Sequence, residues 1–152
     1  SDKPNPVSHV AYSYATHLAE LDDAGRVCRV IAAHDVGRVV NPKAVEGQIE
    51  GAVVQAAGYT NLENFITKDG YPQTKLLSTY LIPTVLDIPN KVHSLIHEHA
   101  DSLGPYGARG MGEMPYLPYA PAVCDAVHAA TGVWFDDFPL TPERVLRGMG
   151  KI

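Results

Sequence analysis

The stretch NPKAVEGQIEGAVVQAAGY, residues 41–59, decides the fold of this 152-residue chain. Asn41 is a favourable N-cap residue, and Pro42 suits the first helical position because its missing N–H needs no partner there. Apolar residues then recur at the helical period and give the segment one face that can be buried; they are Val45, Ile49, Ala52, Val53 and Ala56. The stretch therefore predicts a helix that begins at Asn41-Pro42 and ends near Tyr59.

The residues before this helix predict a β-hairpin. From His9 to Leu21 the sequence alternates between two faces with the period of two that is typical of a strand. Asp22-Asp23-Ala24-Gly25 has the composition of a tight turn. The segment from Arg26 to Ala33 forms the partner strand, and its last four residues are apolar on both faces, which indicates a central strand.

The rest of the chain mixes strands, loops and helices. We predict a turn at 68–71, an extended segment over 78–90 and a further strand over 91–98. A second helix begins at Pro121 and stops at Gly132, and a short last helix runs from Thr141-Pro142 to about Gly148. Because the hairpin comes first and the helices follow, the fold class is α+β rather than a repeating β-α-β arrangement. We expect a single domain over residues 1–152.

The composition limits the function classes. The chain has 12 Lys and Arg against 17 Asp and Glu, a net charge of -5, which argues against nucleic acid as a partner. No apolar run reaches the ~18 residues of a membrane span, and the N-terminus has no signal-peptide pattern. Cys28 and Cys124 suit buried thiols in a reducing compartment better than a disulfide. We therefore expect a cytoplasmic protein that binds neither nucleic acid nor membranes.

A glycine-rich loop, GARGMGEMP at residues 107–115, is the first candidate site. Glycines allow a ligand to approach backbone amides closely. Glu113 lies in this loop next to Met114-Pro115, and a carboxylate held by a rigid loop among apolar groups can serve as a general base. The structural alternative is a surface glutamate in a glycine-rich turn.

Two glutamines on the long helix are the second candidate feature. Gln48 and Gln55 are seven residues apart and share one face, with Gly51 between them. Their amides can donate and accept hydrogen bonds, which suits a heterocyclic ligand. Gly47 and Gly51 also share a face and would allow another body to approach the helix backbone. The structural alternative is close packing of the helix on a strand, with a partly solvated polar stripe.

Histidines suggest a metal site, but their spacing argues against it. In the predicted strand over 91–98, His93 and His97 would lie ~13 Å apart, which is too far for both to bind one metal ion. A zinc hydrolase that uses His93, His97 and His99 is therefore a minor hypothesis, and solvated histidines are the favoured interpretation.

The pair His34-Asp35 at the end of the second strand has two interpretations. An Asp–His pair can activate a nucleophile, but adjacent strand residues point to opposite faces. We favour a strand-to-helix turn in which Asp35 bonds local backbone amides. Arg38 is either an anion contact or a surface charge, and the sequence leaves both open.

Several segments together resemble one protein family. These are HDVGRVVNP at 34–42, EGQIEG at 46–51, the loop 107–115 with Gly112-Glu113 at its core, and LTPERV at 140–145. In this order and at these separations they are similar to the C-terminal part of the molybdenum-binding subunit of the xanthine dehydrogenase and aldehyde oxidoreductase family. The resemblance extends from about His9 to Leu146.

The resemblance implies roles for individual residues. Glu113 would be the general base beside the molybdenum, and Gln48 matches a glutamine that hydrogen-bonds the molybdopterin. No protein side chain ligates the metal in this family. The loop whose backbone runs along the cofactor is matched by Arg109, Gly110, Met111 and Gly112. Many relatives have Gly-Glu-Pro-Pro, whereas Met114 follows Glu113 here, so we expect an altered pocket shape with the base retained.

The resemblance also implies an activity, the hydroxylation of a purine-like N-heterocycle or an aldehyde with water as the oxygen source. Its cofactors would be molybdenum–molybdopterin, in the cytosine dinucleotide form expected of bacterial members, and iron–sulfur clusters and FAD on other domains or subunits. Family subunits are several times longer, so the chain would be a C-terminal fragment of a larger molybdopterin-binding subunit and inactive alone. Its partners would be the rest of that subunit, the iron–sulfur and flavin subunits, and a small-molecule substrate. A non-catalytic cofactor-binding or assembly module of the same fold is the alternative.

Overall fold

The computed structural model describes residues 12–152, which form a mixed arrangement of strands and helices. The strands are β1 (Ala15–Leu21), β2 (Val27–Asp35), β3 (Thr67–Lys68), β4 (Tyr71–Pro72) and β5 (Lys91–His97). The helices are α1 (Pro42–Ala57), α2 (Tyr119–Thr131) and α3 (Pro142–Gly148). This content confirms the predicted α+β class.

The N-terminal hairpin is confirmed. Strands β1 and β2 pair antiparallel, with Leu18 opposite Ile31. The Asp22 carboxylate closes the turn by accepting hydrogen bonds from the backbone N–H groups of Ala24 and Arg26, both at 2.9 Å. The first strand begins at Ala15 rather than at the predicted His9. Residues 9–11 of that prediction lie outside the described part of the chain.

Strand β2 is central, as its apolar end predicts. It pairs antiparallel with β1 on one side and parallel with β5 on the other, so the sheet order is β1-β2-β5. Val30 and Ala32 on β2 are fully buried. The parallel partner is the strand predicted over 91–98, and it ends at His97.

Helix α1 begins as predicted. The Asn41 side-chain oxygen accepts a hydrogen bond from the N–H of Ala44 at 3.1 Å, which caps the helix. The α-helix ends at Ala57, two residues before the predicted end, and a π-helical turn over Gly58–Leu62 follows it. Of the predicted apolar face, Ile49, Ala52, Val53 and Ala56 are buried, and Val45 is half-buried. Ala57, which is not in the predicted set, is buried as well.

The two C-terminal helices are also confirmed. Helix α2 begins at Tyr119, two residues earlier than predicted, because Pro121 is tolerated in the first turn of a helix. Gly132 ends α2 in the left-handed conformation, with a φ of 75°. The Thr141 hydroxyl oxygen caps α3 by accepting a hydrogen bond from the N–H of Arg144 at 3.3 Å.

The prediction of a continuous extended segment over 78–90 is wrong. Turns interrupt it: the N–H of Tyr80 donates to the carbonyl of Leu76 at 3.0 Å, and that of Asp87 donates to the carbonyl of Thr84 at 3.0 Å. The Asp87 carboxylate also accepts hydrogen bonds from the N–H and the hydroxyl of Thr84. Local side-chain bonds of this kind compete with extended pairing. The turn predicted at 68–71 is present and joins β3 to β4.

The core lies between the three-stranded sheet and helices α1 and α2. Its buried residues are Val30, Ala32, Ile49, Val53, Ala56, Ala57, Tyr119, Val123, Cys124, Val127 and Leu140. This packing fixes α1 beside the carboxyl end of β2, where the glycine-rich loop also lies. Within residues 12–152, no helix has the length and apolar character needed to cross a membrane.

Candidate functional site

The candidate site forms where the glycine-rich loop meets the carboxyl end of β2. The N–H of Arg38 donates to the carbonyl of Gly107 at 2.8 Å, and the N–H of Arg109 donates to the carbonyl of Val36 at 3.2 Å. Gly37 has a φ of 65°, and a Cβ atom there would lie 2.5 Å from the Gly107 carbonyl oxygen. The loop therefore approaches the chain after β2 so closely that a side chain at position 37 would displace it.

The Arg109 side chain fastens this junction from within. Its guanidinium lies 3.6 Å from the Asp35 carboxylate and 3.2 Å from the Asp101 carboxylate, and the arginine side chain is only 9% exposed. It also donates to the backbone carbonyls of Tyr12 and His99. Because this side chain is turned into the protein, Arg109 presents its backbone, rather than its charge, to the loop surface.

Asp35 has the role that the sequence favours. Its Oδ1 atom accepts two hydrogen bonds, one from the N–H of Gly37 at 3.0 Å and one from the N–H of His99 at 3.3 Å. The local bond to Gly37 confirms the predicted turn. The sequence does not predict the ion pair between Arg109 and Asp35, which joins residues distant in sequence. Nor does it predict the contact with Asp101, which lies eight residues before Arg109 in an irregular loop.

Gln48 holds the backbone of the loop. Its amide nitrogen donates to the carbonyls of Met111 and Gly112, at 3.0 and 3.2 Å. A Cβ atom built on Gly112 would meet no atom within 4 Å, and the same is true of Gly110. The loop backbone is thus held from one side by α1 and open on the other.

Glu113 lies one residue beyond this contact. Its Oε1 atom accepts a hydrogen bond from the amide nitrogen of Gln55 at 2.8 Å. Its side chain is exposed, so the apolar groups of the described residues do not enclose the carboxylate. The reason is local: Pro115 is the residue that turns inward, and it is buried. The Gln55 contact was not predicted, although the seven-residue spacing from Gln48 was its signal.

A cavity of about 210 Å³ adjoins the loop. Its lining residues are Val36, Arg38, Val40, Asn41, Ala44, Val45, Gln48, Ala108, Arg109 and Met111. Arg38 is exposed at its edge. The cavity therefore combines an apolar wall with an amide, a cation and open backbone, which suits a heterocyclic ligand with an anionic group.

No other part of the described chain packs closely against Gly47 or Gly51. A Cβ atom on either residue would meet nothing within 4 Å among the described residues. A second cavity of about 460 Å³ lies along this side of α1 and is lined by both glycines, Val54, Pro89 and Val92, among others. Helix–strand packing is thus not what the two glycines serve in this structure.

A buried histidine pair lies beneath the site. The Nε2 atoms of His17 and His34 are 2.8 Å apart, and their rings meet edge to face. Burial and the neighbouring His34 lower the pKa of His17 to about 4, and burial also lowers the pKa of His34. The sequence does not predict this pair, because the register of the hairpin determines which histidines meet.

The histidines proposed for zinc do not form a metal site. His93 and His97 lie four residues apart on β5, as predicted, and His99 lies beyond the end of the strand. Over residues 12–152 no three His, Cys, Asp or Glu side chains are grouped so that they could hold a metal ion. This finding contradicts the zinc hydrolase hypothesis.

Comparison with known proteins identifies similar chains. Residues 1–89 match the model of the molybdopterin cofactor-binding domain family. The chain is 33% identical over 148 residues to "Probable hypoxanthine oxidase XdhD" of Escherichia coli K12, covering 93% of this chain and 16% of that protein. It is 35% identical over 119 residues to "Xanthine dehydrogenase molybdenum-binding subunit" of Escherichia coli O157:H7, covering 77% and 16%.

One solved structure extends the comparison to the fold. Quinoline 2-oxidoreductase from Pseudomonas putida 86 superposes with a TM-score of 0.75 at 40% identity, over 83% of this chain and 16% of that structure. The chain thus spans 16% of the length of each of the two relatives and 16% of the matched chain in the solved structure. It is similar to one part of much larger proteins.

Proposed function

The chain belongs to the molybdopterin cofactor-binding domain family, and on that premise we propose that it is the C-terminal part of the molybdenum-binding subunit of a hydroxylase. Two relatives are named as a probable oxidase and a dehydrogenase subunit, and they are 33% and 35% identical to this chain over 93% and 77% of its length. The proposal includes a single domain over residues 1–152 that is inactive alone, since the chain covers 16% of either relative.

The residues around the loop fit a large polar cofactor. Gln48 offers an amide, Arg38 offers an exposed guanidinium, and the loop backbone is open at Gly110 and Gly112. The cavity of about 210 Å³ is smaller than the ~300–1,000 Å³ of a complete ligand site, as expected if this chain forms one side of a shared site. The proposed cofactor-binding residues are Gln48, Arg109 through its backbone, Gly110, Met111 and Gly112.

Glu113 is the proposed general base. The observation that supports it is the 2.8 Å hydrogen bond by which Gln55 holds its carboxylate, directly after the loop residues that Gln48 holds. A positioned carboxylate can take a proton from a reacting group. When bound, the cofactor supplies the redox chemistry, and the protein supplies position and proton transfer.

The substrate and partners follow from the relatives. We propose a purine-like N-heterocycle or an aldehyde as substrate, with water as the oxygen source. The N-heterocycle is supported by similarity to proteins named "Probable hypoxanthine oxidase XdhD" and quinoline 2-oxidoreductase, and the aldehyde by the resemblance of the sequence motifs to aldehyde oxidoreductases. The proposed partners are the rest of the molybdenum subunit and subunits that hold iron–sulfur clusters and FAD, with the pterin in its cytosine dinucleotide form. A cytoplasmic location agrees with two free cysteines, Cys28 and Cys124.

The test is Glu113→Gln in the complete, cofactor-loaded subunit that contains this chain. We expect the molybdenum content to stay constant while kcat falls by ~10²–10⁴-fold, the usual contribution of a general base. Glu98→Gln, at another exposed glutamate, is the control and should leave kcat unchanged. A kcat that survives Glu113→Gln would remove Glu113 from the mechanism and favour the non-catalytic assembly module.

A further inference from the structure

Two glutamine side chains of helix α1 contact the glycine-rich loop at different positions along the helix axis. Gln48 and Gln55 are seven residues apart, so their side chains lie on one face about 10.5 Å apart along the helix axis. Gln48 bonds the backbone carbonyls of Met111 and Gly112, whereas Gln55 bonds the side chain of Glu113. The helix thus fixes both the loop and the carboxylate that the loop presents.

Both partners of the Gln55–Glu113 contact are set by the fold. Gln55 lies two residues after buried Val53 and directly before buried Ala56, so packing of α1 determines the direction in which its side chain leaves the helix. The carbonyl of Glu113 accepts a hydrogen bond from the N–H of Tyr116 at 3.0 Å, and Pro115 between them is buried. The packing thus fixes the two backbone positions from which the exposed side chains of Gln55 and Glu113 meet.

The chemistry of the contact suits a base that must stay reactive. The neutral amide of Gln55 orients the ionised carboxylate by donating a hydrogen bond to it. It adds no positive charge, which would make the carboxylate a weaker proton acceptor. The bond engages Oε1. The other carboxylate oxygen of Glu113, Oε2, is thereby left to accept a proton.

We propose that Gln55 is a positioning residue for Glu113, orienting its carboxylate so that Oε2 faces the reacting group. This inference rests on the proposed function of Glu113 as general base. It predicts that the amide of Gln55 senses the protonation of Glu113, and that loss of the amide slows proton transfer while substrate binding is retained.

The contact itself is tested by NMR on the full 152-residue chain with 15N-labelled glutamine. We expect the side-chain amide signals of Gln55 to shift with pH through the titration of a carboxyl group, and Glu113→Gln to abolish that shift. The amide of Gln48, which bonds backbone carbonyls, is the internal control and should not respond to Glu113→Gln in this way. A pH response of Gln55 that is unchanged by Glu113→Gln would overturn the proposal.

The functional role is tested in the complete subunit with Gln55→Leu and Gln55→Asn. Both variants remove the donor from reach of Glu113, and we expect kcat to fall by about tenfold with KM unchanged, since hydrogen bonds to charged groups contribute about that factor or more. A subunit that loses rate with Glu113→Gln but not with either Gln55 variant contradicts the positioning role. A subunit whose rate is insensitive to Glu113→Gln contradicts the proposed function instead.

Discussion

At the scale of single residues, the sheet buries two histidines, His17 and His34, that contact each other. With their Nε2 atoms 2.8 Å apart, one ring must donate and the other must accept. Neither Nδ1 atom has a hydrogen-bond partner within residues 12–152, and both are buried. If both rings were protonated, their two Nε2–H groups would face each other. The buried pair therefore resists full protonation.

We predict that the chain loses stability as the pH falls from about 6.5 toward 4. The folded-state pKa of His17 is about 4, below the ordinary value, so the unfolded chain binds the proton first and gains stability. A difference of this size corresponds to about 3 kcal/mol by pH 4. Above pH 6.5 the pair has no such effect on the free energy of unfolding.

Urea unfolding at pH 7, 6, 5 and 4 measures this loss. His17→Gln should make the dependence on pH shallower than in the parent chain, because the titrating ring is gone. His97→Gln, at an exposed position on β5, is the matched control and should leave the slope as it was. Equal slopes for the parent and His17→Gln would contradict the prediction.

At the scale of elements, the junction between β2 and the glycine-rich loop depends on the absence of a side chain at Gly37. Its φ is 65°, and a Cβ atom would lie 2.5 Å from the Gly107 carbonyl oxygen and 2.9 Å from the Arg109 nitrogen. Gly25 in the hairpin turn has a similar φ of 77°, yet a Cβ atom there would meet nothing within 4 Å. The two glycines therefore separate backbone strain from steric overlap.

We predict that Gly37→Ala destabilises the chain more than Gly25→Ala does. Both variants force alanine into the left-handed region, at ~1–2 kcal/mol. Only Gly37→Ala adds overlap with the loop, which costs a further ~1–3 kcal/mol. The difference in free energy of unfolding, measured by urea denaturation, checks this, and equal losses would show that the loop moves aside freely.

Local signals made most elements predictable from the sequence. Asn41 and Thr141 cap α1 and α3 with their own side chains, and Gly132 ends α2, so each boundary is written within a few residues. The sequence does not predict the turns within 78–90, because they depend on the Thr84–Asp87 side-chain bonds rather than on an apolar period. The sequence therefore predicts the helix boundaries, where a capping rule applies. It does not predict the turns that depend on other side-chain bonds.

At the scale of the whole molecule, contacts between distant segments were not predictable. No local sequence signal indicates that β5 lies parallel to β2, or that Arg109 forms an ion pair with Asp35. The candidate residues Gln48 and Glu113 were identified through their spacing and resemblance. That a second glutamine, Gln55, contacts the carboxylate depends on how α1 packs against the loop, which only the tertiary structure supplies.

The segment 76–86 has apolar side chains that do not pack into the core of the chain. Six of its apolar side chains are 54–89% exposed, namely Leu76, Leu77, Leu81, Ile82, Val85 and Leu86. Exposed apolar patches mark contact surfaces or promote association. The chain spans 16% of the length of its relatives. We therefore expect such a surface where the chain meets the rest of a subunit.

We predict that the isolated chain self-associates through this segment. Replacing Leu77 and Leu86 together with lysine should shift sedimentation-velocity profiles toward the monomer while changing the free energy of unfolding by less than ~0.5 kcal/mol, as for exposed positions in general. Leu103→Lys, at an 83% exposed leucine outside the segment, should leave association unchanged. If the double variant instead unfolds the chain, the segment packs against this domain. If the parent chain is monomeric at every concentration, the segment does not drive association.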